Sequence, residues 1–317
     1  MIFLLKIMSS NQLLILAREK IDNGHFFALS GGLNSAIYLV QVEGSSLVSK
    51  RYCEIDAETR FLHEVQFLSY CELIDCRLVP KLVARNDSTL EVLLEFIQGK
   101  SVSEISEDCL IFVSSFLLQL NSTKLQDTQF VFARDALVGH HSFATELQTR
   151  MDALKSLRSS ARSIYFLKTI FDAVDSRLSK KDSINAAFRS LISQVVKSRG
   201  SEFIISPSDL GIHNMIKTQD GLRFIDFEYA GLDSPIKLFG DFVSHPRHIV
   251  NANIWREFHR LNENLFGFDF ESFSEFHVLL FRLKWCLIMS KRIDLNSKNS
   301  QLLKLESYFQ SQIEPLL

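Results

Sequence analysis

Three oxygen-bearing side chains, Asp209, Asn214 and Asp226, are spread through the stretch SPSDLGIHNMIKTQDGLRFIDFEYAG, Ser206 to Gly231. Between Asn214 and Asp226 two strand-like runs surround Asp220-Gly221, a pair that signals a hairpin. A hairpin returns the chain to its starting point, so Asn214 and Asp226 are expected close together at its open end. An amide oxygen beside a carboxylate suits magnesium, which takes one or two protein carboxylates and leaves its other positions to water and phosphate oxygens. Asp209 stands five residues before Asn214, on a loop, where it could orient a substrate hydroxyl and accept its proton. The Asp-to-Asn spacing alone is a weak signal, because both residue types favour loops. The hairpin and the apolar Phe224-Ile225 run leading into Asp226 strengthen it.

Such a constellation needs elements to hold it. Residues 11–22 pattern as a short amphipathic helix, and residues 25–52 as three antiparallel strands broken at Gly31-Gly32 and at Glu43 to Ser46. From Ala57 to Leu73, Phe61, Val65 and Leu68 recur at helical spacing. Thr89 to Ser101 reads as one more strand and a loop containing Gly99. Helical segments follow, among them ISEDCLIFVSSFLLQLN, SFATELQTRMDALKSL, SINAAFRSLISQVVKSR and SFSEFHVLLFRLKWCLIMSKRI. In the first of these, Ser106 has Cys109 three residues on where a capping box has Glu, which predicts a weak cap. The stretch 206–231 is a single β element within this helical half. The order predicts an α+β chain: a small antiparallel-sheet lobe with one helix over residues 1–95 and a larger, mainly helical lobe over 96–317. The joint between such lobes is a natural ligand cleft.

At this point a resemblance becomes specific. SDLGIHNMI followed by LRFIDFEYAG resembles the aminoglycoside phosphotransferase and choline kinase family, the small-molecule branch of the protein-kinase-like fold. The resemblance implies a two-lobed kinase-like fold, ATP and magnesium as cofactors, and phosphoryl transfer to a hydroxyl of a small molecule. It matches Asp209 to the catalytic base, Asn214 and Asp226 to the metal ligands, and Asp241 to an acidic residue of structural role. Ser30-Gly31-Gly32 resembles the nucleotide loop, where glycine lets backbone amides approach phosphate oxygens. Lys50 matches the strand lysine that meets the α and β phosphates, with Arg51 as competitor. Glu64 matches the helical glutamate that pairs with that lysine, with Glu58 as second candidate. Glu95, Phe96 and Ile97 match the connector whose backbone meets the adenine edge. Trp255, Trp285, Glu257, Glu263, Asp269 and Glu271 stand where the family builds its acceptor site. One departure is Pro207-Ser208, where the family has His-Gly before the catalytic Asp.

Composition narrows the alternatives. A formal net charge of -2 over 317 residues gives no global electrostatic case for nucleic acid or an anionic membrane. Five cysteines without a Cys-x-x-Cys pair point to buried reduced thiols in a cytoplasmic protein. The opening MIFLLKIM lacks the length and cleavage site of a signal peptide, and no apolar run reaches membrane-spanning length. His140-His141 offers adjacent side chains expected to diverge, Phe273, Phe276 and Phe281 read as helical core, and His213 lies beside Asn214. A protein kinase is disfavoured, because IDFEYAG runs on to Asp241 with no room for an activation segment. A catalytically inactive nucleotide-binding or scaffold protein is the other alternative.

Overall fold

The computed structural model describes residues 9–29, 35–54, 56–122, 130–161, 164–291, 293 and 300–317. Their chain divides into two compact units: Met1–Glu104, Ile111–Arg134 and Ile205–Gly231 form the first, and Ile105–Leu110, Asp135–Ile204 and Leu232–Leu317 the second.

The first unit opens with helix α1 (Ser10–Asp22), started by Ser9, whose hydroxyl accepts the Gln12 N–H while the Gln12 side chain returns to the Ser9 N–H. Strands β1 (Phe26–Ala28), β2 (Ser35–Val42) and β3 (Ser45–Tyr52) follow, then helix α2 (Ala57–Leu73) and strands β4 (Leu82–Asn86) and β5 (Glu91–Glu95). The five strands form one antiparallel sheet in the order β1-β2-β3-β5-β4. Glu43 and Gly44 both take positive φ (49° and 76°) between β2 and β3, the conformation of a type I′ hairpin turn. Leu13, Leu14 and Ala17 of α1 pack on Val40, Val42, Leu47, Ala84 and Leu93 of the sheet.

Strand β4 is not visible in the sequence pattern. Pro80 stands just before it and the strand contains a bulge between Leu82 and Ala84, so the usual alternation is lost at what proves to be an edge strand. The segment expected as a loop after β5 contributes a further short strand, β6 (Lys100–Ser101). Helix α3 (Glu107–Leu120) comes next, and the Ser106 hydroxyl accepts the Cys109 N–H at 3.3 Å, so its cap forms without a glutamate. Strand β7 (Ile204–Ser206) leads into the hairpin of β8 (Met215–Thr218) and β9 (Gly221–Phe224). Strand β6 pairs with β8, Lys100 opposite Lys217, and extends the hairpin to three strands. Gly99 permits this close approach: a Cβ there would stand 2.6 Å from the Lys217 carbonyl oxygen.

The second unit is helical: α4 (Ser142–Ala153), α5 (Lys155–Ser160), α6 (Tyr165–Leu178), α7 (Lys181–Arg199), α8 (Pro235–Val243), α9 (Ala252–Leu261), α10 (Glu263–Phe266), α11 (Glu275–Ser290) and α12 (Ser300–Tyr308). The segment expected as one helix from Ser142 breaks at Leu154 into α4 and α5. Helix α8 starts on Ser234, whose hydroxyl accepts the Ile236 N–H, with Pro235 at the first helical position where its missing N–H costs nothing. Phe143, Phe188 and Phe281 form the core contact of α4, α7 and α11, with ring centroids 4.6 and 4.8 Å from Phe143. Phe273 is buried with Phe281, while Phe276 is half-buried.

Charge is also buried in this unit. Lys237 lies 2.9 Å from Asp233 and 3.2 Å from Asp241, and Lys284 donates to the other Asp241 oxygen. Burial alone would lower the Lys237 pKa, but the two carboxylates more than offset it and hold the ammonium well above its ordinary value. Of the cysteines, Cys71, Cys76 and Cys286 are buried, whereas Cys53 is exposed and Cys109 half-buried, so the expectation of buried thiols fails for those two. The His140 and His141 rings do not diverge: they pack 3.9 Å apart, and Arg189 lies 3.1 Å from His140 Nε2. No helix among the described residues is long and apolar enough to cross a membrane.

Candidate active site

The hairpin register explains how residues distant in sequence meet. Met215 opposes Phe224, and just outside that pair the Ile225 N–H donates to the Asn214 carbonyl at 3.0 Å. Asn214 and Ile225 thus close the open end, with Asp226 next along the chain. The turn residues are Gln219 and Asp220, with Thr218 opposite Gly221, so Gly221 begins β9 instead of sitting inside the turn. Its φ of 121° and the Phe112 ring standing where a Cβ would be both demand glycine.

Rings fix the loop around Asp226. Phe227 stacks on Phe67 of α2 at 4.5 Å, and Phe224 stacks on Phe116 of α3 at 4.4 Å. Asp226, held between these buried phenylalanines, adopts a left-handed backbone with φ 67°. Such backbone is uncommon outside glycine and is retained only where the surroundings enforce it.

Upstream, the Asn121 side chain brackets Ile205 of β7, accepting from its N–H at 2.8 Å and donating to its carbonyl at 3.0 Å. The loop then passes Pro207 and Ser208 to Asp209. Asp209 Oδ1 accepts the Gly211 N–H at 3.1 Å, Oδ2 lies 3.4 Å from His213 Nε2, and the Asp209 carbonyl receives the Asn214 amide at 3.2 Å. Ser208, in place of the expected glycine, takes φ 67°. Ser208→Gly is therefore expected to stabilise the protein by about 1 kcal/mol, read as a raised midpoint in chemical denaturation; an unchanged or lowered midpoint contradicts the strain.

Lys50 of β3 is the hub. Its side chain is 5% exposed, and its ammonium lies 2.6 Å from Glu64 Oε2, 2.6 Å from Asp226 Oδ1 and 3.3 Å from Glu228 Oε2. Glu64 is further fixed by the Tyr52 hydroxyl and, at 3.3 Å, by the Phe227 N–H. Burial lowers the Lys50 pKa, but Asp226 and Glu64 more than reverse this and carry it well above the ordinary lysine value. Partial burial pushes the Asp226 carboxyl up; Lys50 opposes this and the Glu64 and Glu228 carboxylates add to it.

Charge balance bears on a cation. Lys50 and Arg60 face Glu64, Asp226 and Glu228, two cations against three carboxylates. The surplus is most naturally assigned to Asp226, whose side chain is 37% exposed against 1% for Glu64 and 9% for Glu228. Asn214 has its amide nitrogen engaged on the Asp209 carbonyl, so the amide oxygen is the atom it could offer to a cation. A hard divalent cation fits this donor set.

The remaining sequence candidates are placed as follows. Arg51 and Glu58 are exposed, unlike their competitors Lys50 and Glu64. Glu95 uses its N–H on the Lys81 carbonyl and its carboxylate on Arg223, and Phe96 and the buried Ile97 follow it. Ser30, Gly31 and Gly32 lie outside the described residues. In the second unit Glu257 pairs with Arg260, Glu271 with Arg256, and Trp255 stacks under Arg282 at 5.5 Å, while His245 meets Trp285 at 4.7 Å. Sequence reasoning missed Tyr52, Arg60 and Glu228. Arg60 precedes Glu64 by one helical turn and so shares its face, which is the signal that was there to use, whereas Glu228 lies in the turn after the left-handed Asp226, where no strand or helix period points to it.

No family model and no curated protein matches the sequence. Solved structures do match the fold. A choline/ethanolamine kinase family protein from Mesorhizobium loti is 13% identical with a TM-score of 0.59, over 96% of this chain and 93% of that one. The ethanolamine kinase of Plasmodium vivax is 15% identical at 0.56, covering 92% of this chain and 82% of that one. The aminoglycoside phosphotransferase APH(2'')-Ib, solved with ADP bound, is 16% identical at 0.54, covering 93% and 97%. The chain therefore has the protein-kinase-like fold that the aminoglycoside phosphotransferases and the choline and ethanolamine kinases share.

Proposed function

We propose that this chain is a small-molecule kinase, moving the γ-phosphoryl group of ATP, with magnesium, to a hydroxyl of a small acceptor. The observation that carries the proposal is the buried Lys50 bridging Glu64 and Asp226, with Asn214 at the open end of the same hairpin. Residues 1–95 would be the nucleotide-binding lobe, and 96–317 would supply the catalytic loop and acceptor site, in a cytoplasmic protein.

In this reading Lys50, braced by Glu64, steadies the α and β phosphates, and Ser30, Gly31 and Gly32 cover them. The adenine edge falls chiefly to the backbone of Phe96 and Ile97, since the Glu95 N–H is engaged. Asn214 and Asp226 would hold magnesium, which when bound neutralises charge on the phosphoryl oxygens. Asp209 keeps Oδ1 on the Gly211 N–H, so its backbone fixes the carboxylate while Oδ2 orients the acceptor hydroxyl and takes its proton. Catalysis would be mainly positioning and charge stabilisation. The acceptor class spans aminoglycosides, choline-like amines, sugars and envelope precursors, since fold does not determine substrate.

A catalytically inactive nucleotide-binding protein is the second reading, favoured by Pro207-Ser208 in place of His-Gly. Incubating the protein with magnesium ATP and a metabolite library, then measuring ADP and phosphorylated products, separates the two. A phosphorylated metabolite supports the kinase; ATP binding without turnover supports the inactive form.

A further inference from the structure

Arg60 of α2 is 1% exposed, an unusual place for a guanidinium. It donates to the Ser35 hydroxyl at 3.0 Å, to the Cys53 carbonyl and to Glu228 Oε2 at 3.3 Å. These partners are the first residue of β2, the residue after β3 and the turn after Asp226. Glu228 in turn lies 3.3 Å from the Lys50 ammonium, so Arg60 and Lys50 share one carboxylate.

The geometry points to Arg60 and Glu228 as positioning residues for Lys50, a second brace that holds the ammonium once Asp226 turns from it to a cation. This rests on the kinase reading above. In the arrangement described, Lys50 divides its donors among three carboxylates. If Asp226 is given to a metal, Lys50 and Arg60 face Glu64 and Glu228 alone, two charges of each sign. The cluster is then balanced, and one Lys50 N–H is released toward phosphate while two still fix its position. Without Glu228, Lys50 would depend on Glu64 alone and Arg60 would keep a buried charge with no carboxylate among these partners. A guanidinium fits the task better than an ammonium because its planar fork reaches several acceptors at once.

The test uses the full chain and calorimetric titration with two probes, magnesium ATP, which would meet Lys50, and adenosine, which has no phosphate. Glu228→Gln, nearly unchanged in shape, is expected to weaken magnesium ATP about tenfold, as loss of a supporting partner commonly does, and to leave adenosine unchanged. Arg60→Gln is expected to do the same and Arg60→Lys to restore part of the loss. In a Lys50→Met background Glu228→Gln should have no further effect. Equal ATP affinity in Glu228→Gln, or an equal loss with and without Lys50, overturns the brace while leaving the kinase reading intact. A wild-type protein that binds neither probe overturns the kinase reading and the brace with it.

Discussion

Asp226→Asn is expected to remain folded and to lose magnesium-dependent ATP turnover by a factor on the order of 10³, the scale for removing one group that stabilises transferring charge. Asparagine tolerates left-handed backbone nearly as well as aspartate, so the φ of 67° is preserved. It also removes the surplus carboxylate from the Lys50 cluster, which leaves two cations against two carboxylates. Stability should therefore hold or rise slightly while activity falls, the usual mark of a group kept for function at some structural expense. Denaturation midpoints and ATP consumption measured on the same preparations check this. Unaltered turnover in a folded variant contradicts the metal-ligand role.

The largest effect on stability is expected at Asp241. Its side chain is 10% exposed and its carboxylate lies between Lys284 and Lys237, and although burial acts to raise its pKa, these two ammoniums hold it below the ordinary value. Asp241→Ala leaves Lys284, 3% exposed, without its ion-pair partner, and Lys237 with Asp233 alone. Removing one member of a buried pair costs about 3–5 kcal/mol, because the other charge stays buried and uncompensated. Chemical denaturation should show that loss; a change below about 1 kcal/mol would mean that the ammoniums find water or other partners.

How much of this was legible in the sequence depends on the kind of signal. The hairpin was, because polar turn residues between two strand-like runs encode a return of the chain, although the turn falls on Gln219-Asp220, one residue before the expected Asp220-Gly221, and the return brings Asn214 and Ile225, next to Asp226, to its open end. The first three strands and α2 were legible through turn chemistry and helical spacing. Strand β4 was not, since Pro80, a bulge and polar residues at a sheet edge erase alternation. The choice between Lys50 and Arg51 was not either: adjacent residues on a strand face opposite ways, and only the sheet shows that Lys50 is the buried one. Arg60 is the least legible, because a charged residue in an amphipathic helix reads as solvated until three partners are found around it. Where an acceptor would bind is illegible for another reason: Glu257, Glu271 and Trp255 each have an arginine partner, so residue type alone does not mark them as ligands.

The most direct test of the central claim is to identify the phosphorylated product by mass spectrometry after incubation with magnesium ATP and a library of amino alcohols, aminoglycosides and sugars. The account predicts a phosphorylated small molecule formed in step with ADP by the wild-type protein, and both reduced by a factor on the order of 10³ with Asp226→Asn. Phosphate found only on protein, or ADP formation equal in both proteins, would contradict it.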